Sequence, residues 1–249
     1  MTTAQSLRIV ALAALTGLAP MSSAVAAETG EPGDPRVPSI RVTQRDVDAS
    51  NRKIAMAYGA LAQMWSKEFN RIGERFYTPR ILRYDGGGFT ACGYIGPDNA
   101  MYCPNDNTVY YDEVFVATMQ KAAANEVGTD GDMAAVGIIA HEVGHAVAIQ
   151  LGHFSRNSYR NESTADCLAG AFTNQSQKDG SLEDGDVDEA FFGMSMAGDP
   201  TPRSTGNELV DARIQARLAR NSHGTKQQRM QNFRVGLEGG AGRCLAEFR

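Results

Sequence analysis

Two histidines and a glutamate stand close together in a long apolar run, as His141-Glu142-Val143-Gly144-His145. Residues four apart lie on the same face of a helix, so His141 and His145 can offer two imidazole nitrogens to one metal ion. Glu142 lies beside them as a candidate general base. This H-E-x-x-H pattern indicates hydrolytic chemistry, in which zinc activates a water molecule and the glutamate takes its proton.

A catalytic zinc site uses three protein ligands and keeps a further position open, so a third ligand is needed. Glu162 is the candidate, 17 residues after His145, which leaves room to end one helix and bring a second alongside. Asp166 follows four residues later on the same helix face. We expect Asp166 to accept the N–H of a ligand histidine and so fix that ring. The alternative for Glu162 and Asp166 is a solvated helix face.

With these residues in place, the chain resembles the bacterial neutral zinc metallopeptidase family, within the gluzincin class of H-E-x-x-H peptidases that includes thermolysin. The resemblance rests on residues 141–145 and 162–170 and extends over most of residues 43–248. Further matching segments are Ala91-Cys92-Gly93, Tyr102-Cys103-Pro104, Val109-Tyr110-Tyr111-Asp112, His223-Gly224-Thr225, Gln228-Arg229 and Cys244. The resemblance implies zinc as cofactor, a peptide or protein substrate, and a small sheet above the active helix whose edge pairs with that substrate.

Residue type and charge exclude two other classes. Metzincins require a glycine at position 148 and a histidine at position 151, where this chain has Ala148 and Leu151. The formal net charge is −5, with 24 Lys and Arg against 29 Asp and Glu. The chain lacks the basic footprint of a nucleic-acid-binding protein, so we expect no nucleic-acid partner.

The N-terminal residues are typical of a secretory signal peptide, with Arg8 before the apolar run Ile9–Ala19 and a small-residue cleavage site at Ala24-Val25-Ala26. The apolar run is about half the roughly 20 residues that a membrane-spanning helix needs, so an uncleaved anchor is the weaker alternative. We expect a signal peptide at 1–26, a flexible linker or short pro-segment at 27–42, and a zinc metallopeptidase domain at 43–249. The mature protein is then periplasmic or extracellular, without a stable membrane anchor.

The four cysteines are even in number, which in an exported chain favours disulfide bonds. If Gly96-Pro97-Asp98-Asn99 is a tight turn, Cys92 and Cys103 stand opposite each other in a hairpin, about 4.5–5.5 Å apart at Cα. Cys167 and Cys244 are then left to each other. A structural zinc bound by these thiols is the alternative, and no C-x-x-C spacing supports it.

Taken with the resemblance, the hydrophobic pattern predicts an α+β fold that is mainly helical, with a zincin-like pair of active-site helices and a small antiparallel sheet. A first helix begins at Thr43, with Asp46 as cap partner, and carries an apolar stripe from Ile54 to Phe76. Arg80–Asp85 is a candidate strand, and residues 102–111 continue an antiparallel meander. Further helices are expected at 112–126, 133–149, 189–196, 208–220 and 225–237.

The helix that carries the motif is apolar almost all round from Met133 to Ile149, so it must be buried. Asp130 or Asp132 is expected to cap its N-terminus. Gly144 lies in its interior, where glycine is roughly 1 kcal/mol less favourable than alanine, which indicates a neighbouring segment that approaches closely.

The negative charge that develops on a carbonyl during hydrolysis needs a further donor, for which His223 and Tyr159 are the candidates. His223 could instead be an ordinary loop residue ahead of a helix. The sequence thus predicts a secreted or periplasmic zinc peptidase. Its rivals are a non-catalytic zinc-binding module that recognises a partner through the same helices, and a helical binding protein with a chance motif. Glu142 argues against the first rival, because a purely structural zinc site does not require it.

Overall fold

The computed structural model describes residues 39–248. Within them the chain forms an α+β fold that is mainly helical, as predicted. The helices are α1 (Gln44–Arg71), α2 (Glu113–Val127), α3 (Asp132–Gln150), α4 (Ser158–Lys178), α5 (Asp186–Met196), α6 (Glu208–Asn221) and α7 (Lys226–Glu247). The strands are β1 (Arg80–Tyr84), β2 (Gly88–Thr90), β3 (Gly93–Ile95), β4 (Ala100–Cys103) and β5 (Thr108–Asp112). The predicted signal peptide, residues 1–26, and most of the predicted linker lie outside the described residues.

Helix α1 begins with the predicted capping box, in which the side chains of Thr43 and Asp46 each accept a backbone N–H of the other residue. The prediction that the helix continues to Phe76 is wrong. The helix ends at Arg71, because the chain folds back and the Glu74 N–H donates to a carbonyl of the last turn. Phe76 is still buried, so its spacing extends the apolar stripe without extending the helix.

The main sheet has three strands in the order β1-β5-β4. Strand β4 pairs antiparallel with β5, as predicted, but β1 pairs parallel with β5, so the sheet is mixed and not purely antiparallel. That pairing joins segments that are far apart in sequence, and the local pattern does not specify it. Strands β2 and β3 form a separate two-stranded hairpin. In the main sheet β4 is an edge strand, with β5 on one side.

The cysteines near the sheet are arranged differently from the predicted hairpin. Cys92 lies in the turn between β2 and β3, whereas Cys103 ends β4. Because β4 pairs with β5 and not with β3, the register that places these cysteines opposite each other is wrong. They are nevertheless joined by a disulfide bond, with Cα atoms 5.7 Å apart. A second disulfide bond joins Cys167 to Cys244, with Cα atoms 5.5 Å apart.

Helix α3 runs through the core, with 15 of its 19 residues buried. This confirms the prediction drawn from its apolar sequence. Its length and hydropathy would also suit a membrane span, but 83% of that window is buried inside the protein, as expected for a core helix.

The N-terminus of α3 is capped from another helix. Neither Asp130 nor Asp132 is the cap, so that prediction is wrong, and the N-cap residue is Gly131. The buried carboxylate of Glu189 on α5 accepts the Gly131 N–H at one oxygen and the N–H of the first helical turn at the other, each at 2.9 Å. Both aspartates instead form ion pairs with Lys53, at 3.0 and 2.6 Å.

The C-terminal helices extend beyond the predicted bounds. Helix α5 begins at Asp186, and α7 continues past a kink at Gly240 to Glu247. Helix α7 packs along α4 so closely that a Cβ on Gly236 would lie 1.8 Å from the carbonyl oxygen of Cys167. This contact and the disulfide bond from Cys167 hold α7 against the helix that carries the candidate third ligand.

Candidate metal centre

Helices α3 and α4 bring the candidate ligands together. His141 and His145 lie on one face of α3, and both line a cavity that Glu162 of α4 also lines. The two helices approach closely at Gly144, as predicted, because a Cβ there would lie 2.9 Å from the carbonyl oxygen of Ala165. This close approach brings the carboxylate of Glu162 within reach of both imidazoles.

The three side chains converge on one another. Nε2 of His141 is 3.2 Å from Oε2 of Glu162, and Nε2 of His145 is 3.5 Å from Oε1 of the same carboxylate. One ligand atom from each residue lies within 4.8 Å of the other two. Two imidazole nitrogens and a carboxylate oxygen are a known ligand set for catalytic zinc, so these residues fit a zinc ion. We call His141, His145 and Glu162 the metal centre.

A buried ion pair stands behind His141. Oδ1 of Asp166, which is 0% exposed, lies 2.9 Å from Nδ1 of His141. Arg229 on α7 donates from Nη2 to the same oxygen at 2.5 Å. The spacing after Glu162 predicts the position of Asp166. Sequence reasoning assigns no role to Arg229, because it lies 63 residues away and a buried guanidinium leaves no local pattern.

The proton affinities of the metal-free side chains follow from these contacts. The pKa of His141 is raised to about 9, because hydrogen bonds to Asp166 and Glu162 outweigh burial and Arg229, which both lower it. Burial, followed by the charge of His141, lowers the pKa of His145. Burial acts to raise the pKa of Glu162, but the two histidines hold it well below its usual range. The centre therefore presents an ionised carboxylate between its imidazoles.

The carboxylate of Glu142 is held by the edge of the sheet. Its Oε2 accepts the backbone N–H of Tyr102 in β4 at 2.7 Å, so this N–H is bonded to a side chain of α3 and not to strand β5. Glu142 is 8% exposed and lines the same cavity as the metal centre. The structure thus places the candidate general base beside the candidate ligands.

His223 also lines this cavity, with a side chain that is 56% exposed. Its Nδ1 is 3.5 Å from Oδ1 of Asp199, and its backbone N–H donates to Oδ2 at 2.8 Å. Tyr159, the other candidate donor, is not among the described residues that line the cavity, and its ring packs against Gly224. The structure brings His223 to the site and leaves Tyr159 outside it.

The cavity has a volume of about 570 Å³. Its apolar wall combines side chains from β4, α2, α3 and α5, namely Met101, Phe115, Met119, Ile138 and Met194. No spacing rule predicts this wall, because its members come from four separate elements. The cavity therefore joins a cluster of ionisable groups to an apolar surface.

Such a helix pair, with H-E-x-x-H on one helix and a glutamate on the next, is the architecture of zinc metallopeptidases. The chain belongs to the family described as "Putative neutral zinc metallopeptidase", which it matches over residues 2–247. It is 31% identical over 223 residues to the Escherichia coli protein YpfJ, covering 81% of this chain and 72% of YpfJ.

Two mycobacterial proteins are also similar. The chain is 28% identical over 188 residues to Rv2575 of Mycobacterium tuberculosis and to Mb2605 of Mycobacterium bovis, covering 65% of this chain and 59% of each relative. The names of these relatives state no activity. No solved structure matches the chain.

Proposed function

We propose that this protein is an exported zinc-dependent peptidase. The observation that carries the proposal is the convergence of His141, His145 and Glu162, with Glu142 beside them in one cavity. The first three side chains would hold the metal ion. When bound, zinc supplies a Lewis acid that lowers the pKa of a water ligand and polarises a carbonyl group.

Glu142 is the general base in this proposal. The Tyr102 N–H fixes Oε2, which holds the carboxylate in one orientation and leaves Oε1 to exchange protons. Oε1 takes a proton from the attacking water and later passes it to the leaving amine. Because Glu142 follows His141 directly in α3, the same helix sets the position of the base and of a metal ligand.

The edge of the sheet supports a peptide or protein as substrate. Met101 and Tyr102 of edge strand β4 line the cavity. An extended peptide can add to such an edge through backbone hydrogen bonds, which would lay it over the metal centre. The apolar wall would then receive an apolar side chain of that peptide.

His223 is proposed to stabilise the negative charge that develops on the carbonyl oxygen of the substrate. The contact of Asp199 with Nδ1 orients the ring and leaves Nε2 as the nitrogen available to a bound peptide. A donor aimed at this developing charge is typically among the larger contributions to catalysis of this kind.

Export is the second part of the proposal. Disulfide bonds are rare in reducing compartments, so the bonds Cys92–Cys103 and Cys167–Cys244 support an oxidising one. The signal-peptide prediction for residues 1–26 agrees with it. Mass spectrometry of the exported protein should find a chain that begins at Ala27 or Glu28, whereas retention of Met1 would contradict signal cleavage.

Glu142→Gln separates catalysis from metal binding. The variant should keep near-stoichiometric zinc, since Glu142 is not a ligand, and should lose orders of magnitude in peptide hydrolysis. Elemental analysis measures the zinc, and fluorogenic peptides or the secreted proteome measure the cleavage. Glu126→Gln on α2, an exposed glutamate, is the matched control and should change neither quantity.

Hydrolysis that is undiminished in Glu142→Gln would sink the proposed mechanism. If the wild-type protein binds zinc but cleaves no peptide or secreted protein, the non-catalytic zinc-binding module becomes the better account.

A further inference from the structure

Arg229 is a buried cation that bridges three helices. Only 4% of its surface is exposed. Nε donates to both oxygens of Asp166, at 3.1 and 3.2 Å, and Nη2 donates to Oδ1 at 2.5 Å. Nη1 donates to the carbonyl of Ala197 at 3.0 Å. The guanidinium of α7 therefore clamps the carboxylate of α4 and ties it to the segment that ends α5.

The Asp166 carboxylate sets the state of one candidate metal ligand. A histidine that binds a metal is neutral, and if its one N–H is at Nδ1 and is donated to Asp166, Nε2 carries no hydrogen. Nε2 is the atom that faces Glu162, and so the atom that would bind the metal. The orientation of Asp166 thus determines which tautomer of His141 is favoured.

Nη2 of Arg229 itself lies 3.1 Å from Nδ1 and 3.4 Å from Nε2 of His141. A guanidinium has donors and no acceptor, so it could pair with Nδ1 only if the ring hydrogen sat on Nε2. That tautomer could not use Nε2 as a ligand. Oδ1 of Asp166 is closer to both groups, at 2.5 Å from Nη2 of Arg229 and 2.9 Å from Nδ1 of His141, so the guanidinium donates to the carboxylate and the carboxylate remains the acceptor for His141.

The rest of α7 supports this arrangement. Asn232 lies almost one turn beyond Arg229 and donates from Nδ2 to Oδ2 of Asp166 at 3.4 Å. The close contact at Gly236 and the disulfide bond to Cys244 hold the same helix against α4. Helix α7 therefore delivers two donor side chains to one carboxylate from a fixed position.

We propose that Arg229 is a positioning residue of the metal centre. By clamping Asp166, it fixes the ring of His141 in the orientation and tautomer that bind metal. This inference rests on the proposed zinc site. It makes zinc affinity depend on a residue of the C-terminal helix that is not itself a ligand.

The test is Arg229→Lys. Lysine keeps the positive charge but replaces the planar fork with a single donor point, which cannot contact both carboxylate oxygens and Ala197 in the same way. Loss of such an outer contact should raise the zinc dissociation constant about 10–100-fold, as measured by competition with a chelator of known affinity. The absorption spectrum of the cobalt-substituted protein should also change. Arg234→Lys, at an exposed arginine of α7, is the matched control and should leave both readouts unchanged.

A double-mutant cycle with Asp166→Asn shows whether Arg229 acts through Asp166. If it does, Arg229→Lys should weaken zinc binding far less in the Asp166→Asn background than in the wild type. Circular dichroism of the metal-free variants checks that they are folded. If Arg229→Lys does not fold, Asn232→Ala removes the weaker of the two donors and should raise the zinc dissociation constant by a smaller factor.

A wild-type zinc dissociation constant in folded Arg229→Lys would overturn the inference while leaving the proposed zinc site intact. If Arg229→Lys does not fold, an unchanged zinc dissociation constant in Asn232→Ala would overturn the inference in the same way. Additive effects in the cycle would also overturn it, because Arg229 would then act independently of Asp166. A wild-type protein that binds no zinc would overturn both this inference and the proposed function.

Discussion

Helix α3 has a cluster of ionisable side chains near its N-terminus and another in its C-terminal half. The first, which we call the acidic cluster, consists of Asp130, Asp132, Asp186 and Glu189. The second is the metal centre of His141, His145 and Glu162. In each cluster one oxygen or nitrogen from every residue lies within 4.8 Å of the others. By proximity alone, both could hold a cation.

In the acidic cluster the protein itself supplies the partners. Glu189 is fully buried and accepts two backbone N–H groups at the start of α3. Asp186 accepts the backbone N–H of Glu183 at 2.7 Å. Lys53 pairs with the two remaining aspartates. These contacts satisfy the acids and stabilise the N-terminus of the helix.

In the metal centre the partners are the other candidate ligands. Among the described contacts, the oxygens of Glu162 face the Nε2 atoms of His141 and His145 and receive no backbone N–H. Nδ1 of His141 contacts Asp166, which leaves Nε2 available for a metal. The kind of partner that each oxygen already has therefore favours a metal at one cluster and a helix cap at the other, although both clusters are rich in ionisable groups.

The largest expected effect is the loss of zinc from Glu162→Ala. Removing a ligand should weaken zinc binding by more than Asp166→Ala does. Asp166→Ala removes a residue that contacts a ligand, for which roughly 10–100-fold weaker binding is expected. Asp130→Asn in the acidic cluster is the control and should leave the zinc dissociation constant unchanged. Equally tight zinc binding by Glu162→Ala would show that another residue is the third ligand, and it would remove the distinction between the clusters.

The second effect concerns the support of the metal centre by α7. The Cys167–Cys244 bond spans a sequence separation of 77 residues, and the chain-entropy model gives it a stabilisation of roughly 4–5 kcal/mol. The same model gives a stabilisation of roughly 3 kcal/mol for Cys92–Cys103, whose sequence separation is 11 residues. Cys244→Ser should therefore lower thermal stability more than Cys92→Ser does, and lower activity with it. Differential scanning calorimetry measures the first difference.

Non-reducing peptide mapping checks which cysteines are joined. A peptide that joins Cys92 or Cys103 to Cys167 would contradict both disulfide bonds and the anchoring of α7.

The third effect belongs to the acidic cluster. Glu189→Ala leaves two buried backbone donors without their acceptor. Each unsatisfied donor should lower the free energy of unfolding by about 1–3 kcal/mol if no water replaces the carboxylate. Urea unfolding of the metal-free protein should show a lower free energy of unfolding, with zinc affinity much less affected than in Glu162→Ala. Glu238→Ala, on α7, is the control. An unchanged unfolding midpoint in Glu189→Ala would mean that the carboxylate is not needed as a cap.

The smallest effect is a pH dependence. Burial, opposed by the Glu183 hydrogen bond and reinforced by Asp132 and Glu189, raises the pKa of Asp186 from 3.8 to about 6. The folded state then holds this proton more tightly than the unfolded state, so the contribution of Asp186 to stability falls as the pH rises from about 4 to about 6. Asp186→Asn should flatten the slope of unfolding free energy against pH in that window, and Asp188→Asn, an exposed neighbour, should preserve it. An identical slope in Asp186→Asn would contradict this assignment.

The sequence predicts those parts of the molecule that depend on local spacing. His141, His145, Glu162 and Asp166 follow four-residue spacings on two helices, and the structure places these side chains together. The burial of α3 and its close approach to α4 at Gly144 follow from apolar character and from a glycine in a helix interior.

The failures come from contacts between distant segments. The parallel partner of β1, the capping of α3 by Glu189 and the clamp from Arg229 each join residues that lie far apart in the chain. The register between Cys92 and Cys103 fails because it assumes that β3 pairs with β4, whereas β3 pairs with β2 and β4 pairs with β5. Local patterns identify which residues have the chemistry, but the partners that orient them depend on the complete fold.

We expect zinc to bind at His141, His145 and Glu162 and not at the acidic cluster. The most direct test is a crystal of the zinc-loaded protein, measured on both sides of the zinc absorption edge. One anomalous difference peak is expected, among Nε2 of His141, Nε2 of His145 and the carboxylate of Glu162. A peak among Asp130, Asp132, Asp186 and Glu189, with none between the two histidines, would contradict it.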